Sequence, residues 1–218
     1  MENRLSDALN SLWTLTTAEL RDQVASACPT PGGGSVSIIA AALGVASIHK
    51  GIVVSLKRAG DSAKSQKLLD VRSATAALMV SLSELADADS QAFQSYLKAC
   101  ELPRTTEDEK TVRKAAREAG LVRATQVPLE AAAAMGRGLE FAEVSAGLVD
   151  PHVRSEVLTG AVLLRASIHS VLLNVEANLS GISDTALRDA LKRQRDELER
   201  ATLTSCQGSH LVWARCLF

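Results

Sequence analysis

Two stretches and one isolated carboxylate carry the chemistry this sequence can offer. The first stretch is Pro29-Thr30-Pro31-Gly32-Gly33-Gly34-Ser35, directly ahead of a long apolar run. Its prolines disfavour helix at the residues before them, and its three glycines strip the next arc of backbone of side chains. Ser35 is a good N-cap for a helix over 36–56. Such a start gathers unpaired N–H groups and the positive end of the helix dipole at one place, which suits a carboxylate or phosphate. The other reading of the same glycines is a tight turn that lets a second helix cross closely.

The isolated carboxylate is Asp89. Val71, Thr75, Leu78, Leu82, Leu85, Asp89, Ala92 and Tyr96 step by fours and threes, so they share one face of a helix over 64–100. A carboxylate on a packed seam is costly unless paired or functional, which leaves an acid–base group and a buried salt bridge both open. Asp87 falls on another face and is expected to be solvated. The second stretch is the polar line Ser167, Ser170, Asn174 and Asn178, beside the apolar Leu164, Ile168, Leu172, Val175 and Leu179. Two asparagines one turn apart on a mainly apolar helix need hydrogen-bond partners, either another helix or a ligand.

The elements that position these residues read as helices throughout. Hydrophobic residues make up 46% of the 218 and aromatics only 3%, so the core must be built from Ala, Leu and Val, which favours close-packed helices. Residues 1–13 form an amphipathic lead-in ending near Trp13. Thr16 or Thr17 caps a helix over 18–27, and Thr105 or Thr106 opens an acidic helix start after Pro103. That helix carries Arg113, Arg117 and Arg123 up to Pro128, where a kink or restart is expected before 129–146 continues. Ser155 caps a helix over 156–179, and Asp184 precedes a charged one over 185–206. In that last helix Lys192, Arg193, Arg195, Glu197 and Glu199 read as a solvated face. The tail 210–218, with Trp213 and Phe218, is apolar enough to dock on the body. The expectation is an all-α, single-domain bundle of six to seven helices spanning residues 1–218.

The totals narrow the function classes. Twenty-four basic and 25 acidic residues give a net charge of −1, which gives no sign of a nucleic-acid surface. Cys28, Cys100, Cys206 and Cys216 lack Cys-x-x-Cys spacing and read as reduced thiols of a cytoplasmic protein, without zinc. The run 36–56 is long enough to raise a membrane span. Its Ser37, Ser47, His49 and Lys50 favour a buried helix of a soluble protein, with His49 and Lys50 read as the polar approach to its end.

Taken in order, the motifs resemble the cyclodeaminase/cyclohydrolase family of folate enzymes. They are the 29–35 stretch followed by Ala41-Ala42-Leu43-Gly44, then Asp89-Ser90-Gln91-Ala92-Phe93, Leu102-Pro103, Val127-Pro128-Leu129-Glu130 and Leu173-Asn174-Val175-Glu176-Ala177-Asn178-Leu179. The resemblance implies a helical bundle, a homodimer, and a tetrahydrofolate carrying a one-carbon unit as substrate, with no metal. It implies hydrolysis of 5,10-methenyltetrahydrofolate or cyclisation of 5-formiminotetrahydrofolate with loss of ammonia.

Both reactions need a proton carrier and negative charge beside a cationic carbon. Within the resemblance Asp89 takes that role, with Glu156 as a second carboxylate and Arg113 pairing either a ligand carboxylate or Asp89. Pro31, Gly32, Gly33, Gly34 and Ser35 would bind the pterin or the glutamate tail, and Asn174 and Asn178 the pterin edges. Lys57 and Asp150, at two further family positions, are also expected to bind the substrate. The chain departs from the family at Val54-Ser55-Leu56-Lys57-Arg58-Ala59-Gly60 and at Asp150 and Ser155-Glu156. These departures keep two alternatives open, a folate or pterin binder without turnover and a helical scaffold.

Overall fold

The computed structural model describes residues 11–58 and 63–205. Within them, six α-helices follow one another without a strand: α1 (Thr17–Val24), α2 (Gly33–Arg58), α3 (Ala63–Glu101), α4 (Glu107–Ala146), α5 (Arg154–Leu179) and α6 (Thr185–Ser205). Leu12–Thr14 and Pro151–Val153 add single 3-10 turns. The expected docking of 210–218, Gly60, Cys206 and Cys216 lie outside the described residues.

Helices α2 to α5 form a closed four-helix ring in which α2 packs on α3 and α5, and α4 packs on the same two. Neighbours run antiparallel. Gly34 lies against Asp89 while His49 bonds Thr75 further along, and Ser37 meets Ser170 while Ser47 meets Glu156. Helix α6 lies against α4 and α5. The ring holds one core of small and branched side chains, among them Ile38, Ile48, Leu82, Met135, Leu164 and Ile168, all essentially sealed from solvent. Gly44 and Gly160 set how closely α2 and α5 approach. A Cβ on Gly44 would stand 3.0 Å from the Gly160 carbonyl, so any side chain here would push the two backbones apart.

The seam from Val71 to Tyr96 faces inward as expected, with Thr75, Leu78, Leu82 and Ala92 buried. Thr16 and Thr106 each form a capping box with the glutamate three residues on. Four local expectations fail for identifiable reasons. Ser35 is not an N-cap: α2 starts at Gly33, and the Gly32 carbonyl accepts the Val36 N–H at 3.1 Å. Ser155 does not cap α5, because the turn opened by Asp150 runs straight into it and Asp150 accepts the His152 N–H at 2.9 Å instead. Of the kink or restart expected at Pro128, the restart is absent, since α4 continues through it as one helix. Asp87 is not merely solvated. It accepts from Ser11 Oγ at 2.6 Å and the Leu12 N–H at 2.8 Å, pinning the N-terminal segment to α3.

On α6 the charged face is partly turned inward. The Arg195 side chain is only 18% exposed and holds Glu199 at 2.6 Å. His49 and Lys50 sit in mid-helix rather than near its end, bonded to Thr75 and Glu156.

Candidate functional site

One end of the ring gathers the first turn of α2, the second half of α3, the middle of α4 and the last turns of α5. Between them lies a cavity of about 250 Å³ lined by Gly32, Gly33, Gly34, Ser35, Asp89 and Phe93, with Asn174 and Asn178 opposite. Three features singled out separately in the sequence therefore meet at one place.

Asp89 reaches this cavity because the packed seam of α3 delivers it there, and the glycines of α2 make room for it. A Cβ on Gly34 would lie 2.5 Å from Asp89 Oδ2 and 2.7 Å from Oδ1. Gly32 and Gly33 have only ordinary contacts at the same test, so of the three glycines Gly34 is the one this carboxylate requires. Ser35, fully buried, donates from Oγ to Asp89 Oδ2 at 2.8 Å. Burial pushes the Asp89 carboxyl above the ordinary range, against the pull of hydrogen bonds from the Ser35 side chain and backbone. No cation pairs with Asp89 among the described residues, so a buried salt bridge is not its role. A carboxyl that exchanges its proton at a raised pH, held by one hydroxyl above a helix start, is equipped for acid–base work.

The two asparagines have different local reasons. Pro128 has no N–H, so the Ala124 carbonyl loses its helical donor, and Asn178 Nδ2 supplies one at 3.1 Å. Asn174 Nδ2 donates to the Ser170 carbonyl at 3.3 Å, and Ser170 in turn meets Ser37 at 2.7 Å. Each amide thus spends a donor on the scaffold while its side chain lines the cavity, and an amide oxygen is an acceptor that a ligand N–H can use.

The remaining residues named from sequence lie elsewhere. Glu156 pairs with Lys50 at 2.7 Å and accepts from Ser47 at 3.1 Å, which together hold its carboxyl below the ordinary range. Ser47 is thirteen residues along α2 from Gly34, so this pair stands roughly 20 Å from the cavity. Asp150 is bonded to Arg58 at 3.2 Å and to the turn before α5, and Lys57 is exposed in the last turn of α2, both at the far end of the ring. Arg113 does not approach Asp89. Its Nε and Nη2 donate to the Cys100 carbonyl at 3.2 and 2.8 Å, closing the C-terminal end of α3. The sequence missed the Pro128–Asn178 link, although a proline inside a helical period always leaves a carbonyl to be satisfied.

The sequence profile of the formiminotransferase-cyclodeaminase family matches residues 16–197. The chain is 32% identical over 188 residues to the formimidoyltransferase-cyclodeaminase of Gallus gallus, covering 84% of this chain and 34% of that protein. It is 28% identical over 177 residues to the methenyltetrahydrofolate cyclohydrolase of Methylorubrum extorquens, covering 81% and 85%. The crystal structure of formiminotetrahydrofolate cyclodeaminase from Thermotoga maritima superposes with a TM-score of 0.79 at 26% identity, covering 90% of this chain and 94% of that one. The chain thus spans about a third of the length of the Gallus protein, and most of the length of the other two.

Proposed function

The chain belongs to the formiminotransferase-cyclodeaminase family, and from that membership and its cavity we propose that it is a folate one-carbon enzyme working at the carbon between N5 and N10. The observation that carries this reading is Asp89, unpaired, with its proton affinity raised by burial, and held by Ser35 at the mouth of α2.

Two reactions use that equipment. In hydrolysis, water adds to the cationic methenyl carbon and gives a proton to Asp89. Cleavage of the carbon–N5 bond then takes a proton back and leaves the 10-formyl product, with one proton released overall. In cyclisation, N10 attacks the formiminium carbon and passes its proton by way of Asp89 to the departing nitrogen, which leaves as ammonia. In both, the ionised carboxylate also stabilises the positive charge on the one-carbon unit. The amide oxygens of Asn174 and Asn178 supply acceptors for pterin N–H groups.

The test is to mix the protein with methenyltetrahydrofolate or with 5-formiminotetrahydrofolate and follow the near-ultraviolet absorbance of the methenyl form. Faster loss from the first substrate identifies the hydrolase, and faster appearance from the second the cyclodeaminase. No acceleration over buffer in either direction would overturn the reading.

We also propose that the active form is a homodimer. The outward faces of α2 and α5 are adjacent and apolar, with Leu43 57% and Leu173 67% exposed beside Val36, Ala40, Leu163 and Ala166. A second copy placed there would cover a contiguous patch of a kind that monomers rarely leave open. Light scattering after size exclusion should give twice the chain mass, and Leu43→Glu with Leu173→Glu should halve it. A monomer in the unmodified protein would refute the pairing.

A further inference from the structure

Helix α3 turns two neighbouring stripes toward two different cavities. Asp89 and Phe93 face the first cavity, while Asp87, Gln91 and Gln94 face a second, of about 490 Å³, beneath the N-terminal segment. At about 100° per residue Ser90 falls on the ridge between the stripes, and it lines both cavities. Thr30 is the one other described residue common to the two walls.

The second cavity is built to hold small neutral molecules. Its cover is fixed: Asp87 holds Ser11 and Leu12, and Trp13 Nε1 donates to the Ser83 carbonyl at 3.1 Å. Gln94 Nε2 donates to Thr30 Oγ1 at 2.9 Å and ties the wall between the cavities to α3. Among the described residues no cation lines this space, and its one carboxylate, Asp87, is already engaged. Hydroxyls and amides dominate what remains, which suits a molecule that both donates and accepts hydrogen bonds and carries no charge.

Ser90 is the uncommitted group of the partition. Ser73, Ser83 and Ser95 on the same helix each return their hydroxyl to the carbonyl four residues back, at 3.3, 2.9 and 2.9 Å. Ser90 is only 7% exposed, yet its hydroxyl has no partner among the described residues. A buried hydroxyl is costly to leave unpaired, so this one is placed for a molecule that comes and goes.

We propose that the second cavity is a side entrance to the Asp89 site and that Ser90 is the positioning residue at its inner end. It passes the small neutral co-reactant, the water that enters in hydrolysis or the ammonia that leaves in cyclisation. The inference rests on the folate reading. A folate held against the glycines and asparagines fills the first cavity, and the partition at Ser90 and Thr30 gives a separate approach to Asp89. A water there donates one O–H to Asp89 and the other to Ser90 Oγ, which leaves a lone pair for the methenyl carbon. The carbon–oxygen bond forms as the first proton passes to Asp89, and Ser90 keeps its own proton throughout. In cyclisation the same hydroxyl accepts from ammonia once the carbon–nitrogen bond has broken.

The experiment measures kcat and KM of Ser90→Ala, Ser90→Thr and Gln91→Trp with methenyltetrahydrofolate and, separately, with 5-formiminotetrahydrofolate. Ser90→Ala should lower kcat about tenfold, the worth of one hydrogen bond to the reacting molecule, with KM unchanged. Ser90→Thr restores the hydroxyl and should recover most of the loss. Gln91 lines only the second cavity, so Gln91→Trp should narrow the entrance and lower kcat while the KM of the folate holds. The denaturant midpoint of Ser90→Ala should not fall, because no protein group loses a partner. Loss with the methenyl substrate identifies water as the passenger. Loss with the formimino substrate, together with weaker inhibition by added ammonium, identifies ammonia. A normal kcat in Ser90→Ala or in Gln91→Trp, or a fall matched by a change in KM or in midpoint, would overturn the side entrance and leave the Asp89 chemistry standing. Turnover of neither substrate by the unmodified protein would instead overturn the folate reading, and this inference with it.

Discussion

Asp89 and Glu156 are carboxylates of the same bundle, one within a motif that resembles the family and one where the chain departs from it, and their surroundings are opposite. Asp89 sits over the start of α2 with one serine donor, no cation, and a proton affinity raised by burial. Glu156 reaches across from α5 to a lysine and a serine of α2 and keeps its charge more firmly than a free glutamate. A group that must take and return a proton works best when neither state is locked. The ion pair locks Glu156. On the function proposed above the proton work falls to Asp89, while Glu156 ties two helices together.

The largest expected effect comes from removing the Asp89 charge. Asp89→Asn keeps the shape of the side chain, and turnover should fall by about a thousandfold in a steady-state assay. The same residue sets a pH signature. As a base Asp89 must be ionised, so kcat/KM of the unmodified protein should rise with pH along a limb above the ordinary carboxylate range of about 4. Stability runs the other way. The folded state holds this proton more tightly than the unfolded one, so stability falls as pH rises from the ordinary value through the raised one. Denaturant midpoints of Asp89→Asn and the unmodified protein should therefore match below about pH 4 and separate above it, the variant being the more stable. A residual rate near normal, or parallel midpoint curves, would break the contrast between the two carboxylates.

Next in size is Gly34→Ala. Helix propensity favours alanine by up to ~1 kcal/mol in a helix interior, so no fold-wide loss is expected from the backbone. The new Cβ would meet Asp89 Oδ2 at 2.5 Å and must displace the carboxylate. A shift of this order should lower turnover by about a hundredfold. Full activity in a folded Gly34→Ala protein would mean that the carboxylate need not stand where Ser35 holds it.

Much of this arrangement was readable before the structure. The periods that predict α3 and α5 depend on which residues are apolar, so the seam carrying Asp89 and the line carrying Asn174 and Asn178 were legible at once. What pattern alone could not supply was distance. Glu156 was named as a second carboxylate for the site, but the antiparallel run of α2 against α5 places it thirteen residues of helix away from Gly34. Ser35 looked like a cap because serine caps helices in general. Here the glycines before it already adopt helical geometry, which frees its hydroxyl for a carboxylate 54 residues on. The resemblance gave Arg113 a carboxylate to pair with, whereas its shown partner is the Cys100 carbonyl, which depends on how α3 ends beside α4.

A smaller effect should follow from Asn178→Ala. The Ala124 carbonyl freed by Pro128 would lose its donor inside the protein, at a cost of about 1–2 kcal/mol in a denaturant titration. Restoring the helical donor with Pro128→Ala in the same chain should recover most of that cost. If it does not, the proline is not the reason this asparagine is needed for stability, and its value lies with the ligand.

The smallest expected effect is the one that most sharpens the opening contrast. Glu156→Gln keeps a group able to accept from Ser47 while removing the charge that Lys50 meets, and Lys50 is 63% exposed, so water replaces the carboxylate. Turnover should stay as it is in the unmodified protein, and the pH limb assigned to Asp89 should not move. A fall in kcat comparable with that of Asp89→Asn would show that a carboxylate roughly 20 Å from the cavity along α2 takes part in the chemistry. Within one chain that is too far for a proton to be handed over directly. It would then have to serve a different active site, such as one completed by a second copy across the exposed faces of α2 and α5.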